Sequence, residues 1–105
     1  MEKASILREI DSIKAQLVEK YKPEKIILFG SAVWGEGEIN DIDMFIIKAE
    51  VPHYGVDRIR ELDRLISRRI ATDMLVYKPG EVRERLEMGD PFLKKIFAEG
   101  KVIYG

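Results

Sequence analysis

Ile26-Ile27-Leu28-Phe29-Gly30-Ser31, followed after a short link by Asp41-Ile42-Asp43-Met44-Phe45-Ile46-Ile47, is the stretch on which the fold turns. The first run is apolar without alternation and stops at a glycine, the pattern of a strand buried on both faces. The second is polar at its start and then continuously apolar, which predicts another buried strand beginning at Asp41. The link from Gly30 to Asp41 is too short for an ordinary parallel crossover, so the sheet is expected to be mixed. Within the link, Ser31 to Asn40 carries Trp34 among Gly35 and Gly37, as a short helical turn and loop would.

Upstream, Ile6, Ile10, Ile13 and Leu17 recur at helical spacing, predicting an amphipathic helix from Glu2 to about Lys20 that Lys22-Pro23 ends. Downstream, a helix is expected from about Tyr54 to Arg69, burying Val56, Ile59, Leu62, Leu65 and Ile66. A third strand follows at Thr72-Asp73-Met74-Leu75-Val76-Tyr77. Two short helices, about Gly80 to Glu87 and Pro91 to Glu99, then close the chain, the second with Asp90 as N-cap and Pro91 at its first position. Val102-Ile103-Tyr104 adds a candidate edge strand. The class is therefore α/β in the α+β sense: one domain over 1–105, with a small mixed sheet of three to four strands and helices packed mainly on one face.

The 18 Lys plus Arg against 19 Asp plus Glu leave a net charge of -1, so no general attraction to nucleic acid or anionic lipid is indicated. Without cysteine there is neither a disulfide framework nor a thiolate metal site. The opening Met1-Glu2-Lys3-Ala4-Ser5 runs into a charged amphipathic segment, and no apolar run approaches a membrane span; the expectation is a soluble, cytoplasmic protein.

Chemistry is carried by acidic residues placed where strands do not favour them. Asp41 and Asp43, two apart on an expected strand, would leave the same face with backbones roughly 6.6 Å apart, within reach of one cation. Asp disfavours strands and like charges repel, which a shared cation would relieve. Asp73 opens another apolar strand with nothing basic beside it in sequence. Each alone reads equally as a solvated strand end. Their weight comes from Gly30-Ser31 directly after a buried strand, where glycine admits a phosphate to the backbone and a hydroxyl can hold its oxygens. Gly30 and Ser31 are thus the candidate nucleotide-binding residues, and Asp41, Asp43 and Asp73 the candidate metal and catalytic residues. Arg60, Arg64 and Arg68 stand at helical spacing among acidic neighbours, as a solvated face or a docking stripe would. Trp34 could stack on a base or a partner, or pack over the sheet edge, and the lone His53 reads as a surface residue.

The run Leu28-Phe29-Gly30-Ser31-Ala32-Val33-Trp34-Gly35 with Asn40-Asp41-Ile42-Asp43-Met44-Phe45 resembles the signature of the polymerase-beta-type nucleotidyltransferases, specifically their minimal single-domain members. It departs from the signature at Ala32, Val33 and Trp34, where arginines are frequent, and at Asn40, where serine is common; the carboxylates are spared. The resemblance implies the nucleotidyltransferase fold and a third carboxylate matched by Asp73. It also implies two Mg²⁺ ions and transfer of AMP from ATP, a nucleoside triphosphate, to a hydroxyl. Minimal members are similar to antitoxins whose partner is a HEPN-domain toxin, adenylylated on a tyrosine, so such a partner is implied here. A catalytically idle nucleotide-binding antitoxin and a small-molecule adenylyltransferase are the other readings, and whether the chain forms a homo-oligomer stays open.

Overall fold

The structure is a computed structural model that describes residues 3–35, 39 and 41–105. In chain order it comprises α1 (Lys3–Gln16), β1 (Lys25–Phe29), α2 (Ser31–Trp34), β2 (Ile42–Ile47), α3 (Gly55–Leu65), β3 (Thr72–Tyr77), α4 (Pro79–Glu87), α5 (Pro91–Glu99) and β4 (Lys101–Tyr104). Asn40 and Gly37, read as loop residues, lie outside the described residues.

The sheet runs β3-β2-β1-β4. β1 is antiparallel to both β2 and β4, whereas β2 and β3 are parallel, so the sheet is mixed as the short link required. Alternation sorts the apolar runs into two cores. Ile26, Leu28, Ile42, Met44 and Ile46 face α1 and α3, where Ile6, Ile10, Ile13, Leu17 and Leu62 meet them. Ile27, Phe29, Phe45 and Ile47 face α4 and α5 through Val82, Leu93 and Ile96. The first cluster is the larger, but helices cover both faces rather than mainly one, α1 and α3 on the first and α4 and α5 on the second, which buries β1 and β2 on both sides as their unbroken apolar runs demand.

Each helix has a local cause for its ends. α1 continues into a π-helical turn, Leu17–Tyr21, that stops at Lys22 with φ 58° before Pro23. At α5 the Asp90 carboxylate accepts from the Phe92 and Leu93 N–H groups at 2.9 and 3.2 Å, and Pro91 costs no hydrogen bond at the first position.

α3 departs from expectation. It ends at Leu65 rather than Arg69, and Ile66 is extended with φ -119° and ψ 147°. The Gln16 amide brackets Ser67, accepting from its N–H at 2.7 Å and donating to its carbonyl at 2.8 Å. Glu9, itself buried, accepts from the Arg69 N–H at 2.9 Å. Side chains of α1 thus hold residues 66–69 out of the helix. The proposed arginine stripe is broken accordingly: Arg68 leaves α3 and pairs with Asp63 at 2.7 Å. The expected buried face is corrected too, for Val56 is exposed and Arg58 is buried in its stead.

Arg58 is 4% exposed. It donates to the carbonyls of Pro52, His53 and Val76 at 2.6, 3.0 and 2.9 Å, and to both Glu81 carboxylate oxygens at 2.7 and 3.1 Å. Glu81 also accepts from the Lys78 N–H at 2.7 Å, which closes the start of α4. One guanidinium thereby joins the loop after β2, α3, β3 and α4. The bond from Arg58 is the largest influence holding the Glu81 carboxyl down to about 2.

Candidate active site

β1 delivers Gly30 to the side of Asp43, because Phe29 is the register partner of Asp43. Gly30 has φ 73° and ψ -150°, and a Cβ there would overlap the Asp43 carboxylate. Only glycine satisfies both the conformation and the close approach. The turn is closed by Val33 and Trp34 N–H groups donating to the Gly30 carbonyl at 3.0 and 2.8 Å. Ser31, exposed at the start of α2, donates from Oγ to the Asp41 carbonyl at 3.4 Å, a long contact that ties the turn to the entry of β2.

The parallel register pairs Asp43 directly with Asp73, so both carboxylates leave the face of the sheet that α5 covers. Burial raises the Asp43 carboxyl above its ordinary 3.8, and the charges of Asp73 and Asp41 and a hydrogen bond with Asp73 push the same way. Among the described residues no basic side chain pairs with Asp43 or Asp73. They sit in a cleft of about 590 Å³ that Arg68, Phe29 and Phe92 also line. A larger cleft, about 640 Å³, lies farther along β3, beside Met74 to Tyr77; the smaller holds the acid chemistry and is the candidate site.

Asp41 is placed differently from expectation. It precedes β2, whose ladder begins with Ile42 donating to the Ala71 carbonyl at 3.0 Å, so Asp41 and Asp43 are not two positions of one strand. No group of three Asp, Glu or His side chains among the described residues is arranged to hold a metal ion. The expected carboxylate trio is therefore present as a close pair, with Asp41 acting on it through its charge. That pair still fits a hard divalent cation: its donors are all oxygen, and its mutual repulsion is what a cation would relieve.

Trp34 resolves to packing. Its Nε1 donates to the Glu99 carbonyl at 3.1 Å, its ring lies 6.1 Å from that of Phe29, and Lys95 Nζ sits 4.4 Å above it. His53 is exposed, with its ring 4.8 Å from that of Tyr54. Two residues of the cleft escaped sequence reading. Phe92, 45% exposed and edge-on to Phe29 at 5.6 Å, reads locally as one more residue of α5. Arg68 reaches the cleft only because α3 ends early, and no local signal announces that.

No helix is long and apolar enough to cross a membrane among the described residues. A comparison with curated proteins gives no match. A solved structure from Sulfolobus solfataricus, described as a candidate nucleotidyltransferase, is similar over 80% of this chain and 82% of its own, with 24% identity and a TM-score of 0.52; it speaks for the fold. The family model for polymerase beta nucleotidyltransferases matches residues 11–105, taking in the glycine-serine turn, the Asp43–Asp73 pair and all four strands, and the chain belongs to that family.

Proposed function

We propose that this nucleotidyltransferase domain moves AMP from ATP, with Mg²⁺, onto a side-chain hydroxyl of a HEPN-type partner protein, as the antitoxin of the pair. The observation that carries the transfer chemistry is the Asp43–Asp73 pair facing one another beside Gly30-Ser31. Mg²⁺ suits an all-oxygen donor set, in which Asp43 and Asp73 would hold it and Asp41 would join on a small movement. When bound, the cation supplies charge neutralisation at the phosphates. Asp73, exposed on the outermost strand of the three, takes the proton of the attacking hydroxyl. The hydroxyl oxygen bonds to the α-phosphorus, the bond from that phosphorus to the bridging oxygen breaks, and pyrophosphate leaves. Ser31 Oγ, whose one hydrogen bond among the described residues is the long one to the Asp41 carbonyl, is available to the leaving phosphates.

The HEPN partner rests on the resemblance of the glycine-serine and D-x-D runs to minimal family members. A second reading, an idle nucleotide-binding antitoxin, draws on Asp41 standing ahead of β2 so that no carboxylate trio is closed. Incubation with ATP, Mg²⁺ and the protein encoded by the neighbouring gene, followed by mass spectrometry, separates the two. Transfer predicts one adenylyl increment on the partner that disappears in Asp43→Ala. An unchanged mass with a tight complex selects the binding reading, and an unchanged mass without a complex removes both.

A further inference from the structure

Beside the carboxylates the sheet ends in an open edge. Among the described residues β3 pairs only with β2. The Ala71 carbonyl accepts from the Ile42 N–H at 3.0 Å and the Tyr77 carbonyl from the Lys48 N–H at 3.1 Å. Odd-numbered residues of β3 therefore turn their amide groups to β2, and Thr72, Met74 and Val76 turn theirs outward. The cleft of about 640 Å³ runs along that edge and is lined by four successive residues, Met74 to Tyr77. A cleft on one sheet face would meet alternate side chains; consecutive ones mark a strand seen from its side. Ile59 of α3 walls the cleft on one flank, and Glu84 of α4 with Met88 just past its end on the other. It joins the carboxylate cleft through Ile59, Met74 and Leu75, which line both.

The rim is apolar. Met88, Tyr54 and Val56, at 73%, 67% and 58%, are the most exposed large hydrophobic side chains among the described residues. Met88 lines the cleft, Tyr54 and Val56 flank Gly55, which lines it too, and Val56 shares a helical side with Ile59. Unpaired strand amides beside exposed apolar groups are an aggregation hazard unless a partner covers them. Arg58 occupies the Val76 carbonyl at 2.9 Å, which leaves the outward groups of Thr72 and Met74, the half of the edge next to Asp73. The charges along the cleft, two arginines and two glutamates, offset one another, which suits a neutral polypeptide and not a polyanion.

We propose that the open edge of β3 docks an extended segment of a partner polypeptide as a fifth strand, its apolar side chains against Val56 and Met88, so that a side-chain hydroxyl arrives at Asp73. The proposal deepens the transferase reading and rests on it for the role of that hydroxyl. Across the sheet the order is then phosphate turn at the end of β1, carboxylate on β2, carboxylate on β3, and acceptor beyond β3.

The test uses the full chain and a synthetic peptide of valine alternating with glutamine around a central tyrosine, with a second copy of the peptide N-methylated on alternate backbone nitrogens. Binding is followed by NMR, and amide hydrogen exchange is read at Thr72 and Met74. The unmethylated peptide should bind saturably and slow exchange at both amides. Methylation, which removes one or two backbone hydrogen bonds, should weaken binding about tenfold or more, and so should the surface double variant Val56→Lys with Met88→Lys, which removes the apolar contacts. Equal binding of both peptides, or contacts away from β3, overturns the proposal. Protection that needs no peptide and rises with protein concentration overturns it in favour of a second copy of the chain. Melting the same samples with MgATP keeps the two claims apart: a MgATP shift without peptide binding ends the docking edge alone, and peptide binding without a MgATP shift ends the transferase reading alone.

Discussion

Gly30 carries two constraints at once, a backbone conformation closed to other residues and contact with the Asp43 carboxylate. Gly30→Ala is expected to cost about 1–3 kcal/mol from the backbone alone, read as a lower melting temperature, and to displace Asp43 so that transfer is lost with it. The facing carboxylates predict the opposite sign of stability change. Like charges directly opposed on neighbouring strands cost about 0.2–1 kcal/mol, so Asp43→Asn should melt about 1–5 °C above the wild type in EDTA while losing transfer. The advantage depends on pH. Because Asp43 holds its proton more tightly folded than unfolded, the wild type recovers stability as pH falls through the raised value, and the advantage of the variant is gone below the ordinary value of 3.8. Glu81 runs the other way. Its carboxyl, held down to about 2 by Arg58, lends stability that is complete above 4.5 and lost as pH falls toward 2, so Glu81→Gln should flatten that acid limb in pH-dependent melts.

At the scale of elements, Arg58 is the residue on which four segments converge, and removing it strands three carbonyls and a carboxylate. Arg58→Ala should destabilise by about 3 kcal/mol in urea unfolding and speed amide exchange along β3. Sequence reading recovered the elements whose causes are local: the apolar period of α1, the unbroken run of β1 closed by glycine, and the Asp90-Pro91 start of α5. It failed where distant partners decide. The helical pattern from Val56 runs on through Ile66, yet Gln16, 51 residues away, supplies Ser67 with backbone-like partners that end the helix. Arg58 carries no local sign of burial, because helical period treats arginine as polar and its hydrogen bonds to four other residues are a tertiary fact. The same early end carries Arg68 into the carboxylate cleft, a placement that spacing along α3 could not give.

Over the whole molecule, sheet order does the assembling. Neighbouring strands β1, β2 and β3 bring Gly30, Asp43 and Asp73 to one face from positions up to 43 residues apart. Of the candidate site, the glycine-serine turn and the Asp43–Asp73 pair were legible, since strand alternation fixes which face each carboxylate leaves. The placing of Asp41 was not, because the residue where β2 begins depends on its ladder with β3. The central claim is that the carboxylate pair and the glycine-serine turn hold a nucleotide through a divalent cation. Calorimetric titration of ATP into the wild type and Asp43→Asn, each with Mg²⁺ and with EDTA, tests it most directly. Saturable binding by the wild type in Mg²⁺ is expected, weakened about tenfold or more by EDTA or by the substitution, as loss of a charged ligand should do. Equal affinity in all four titrations, or none in any, would contradict it.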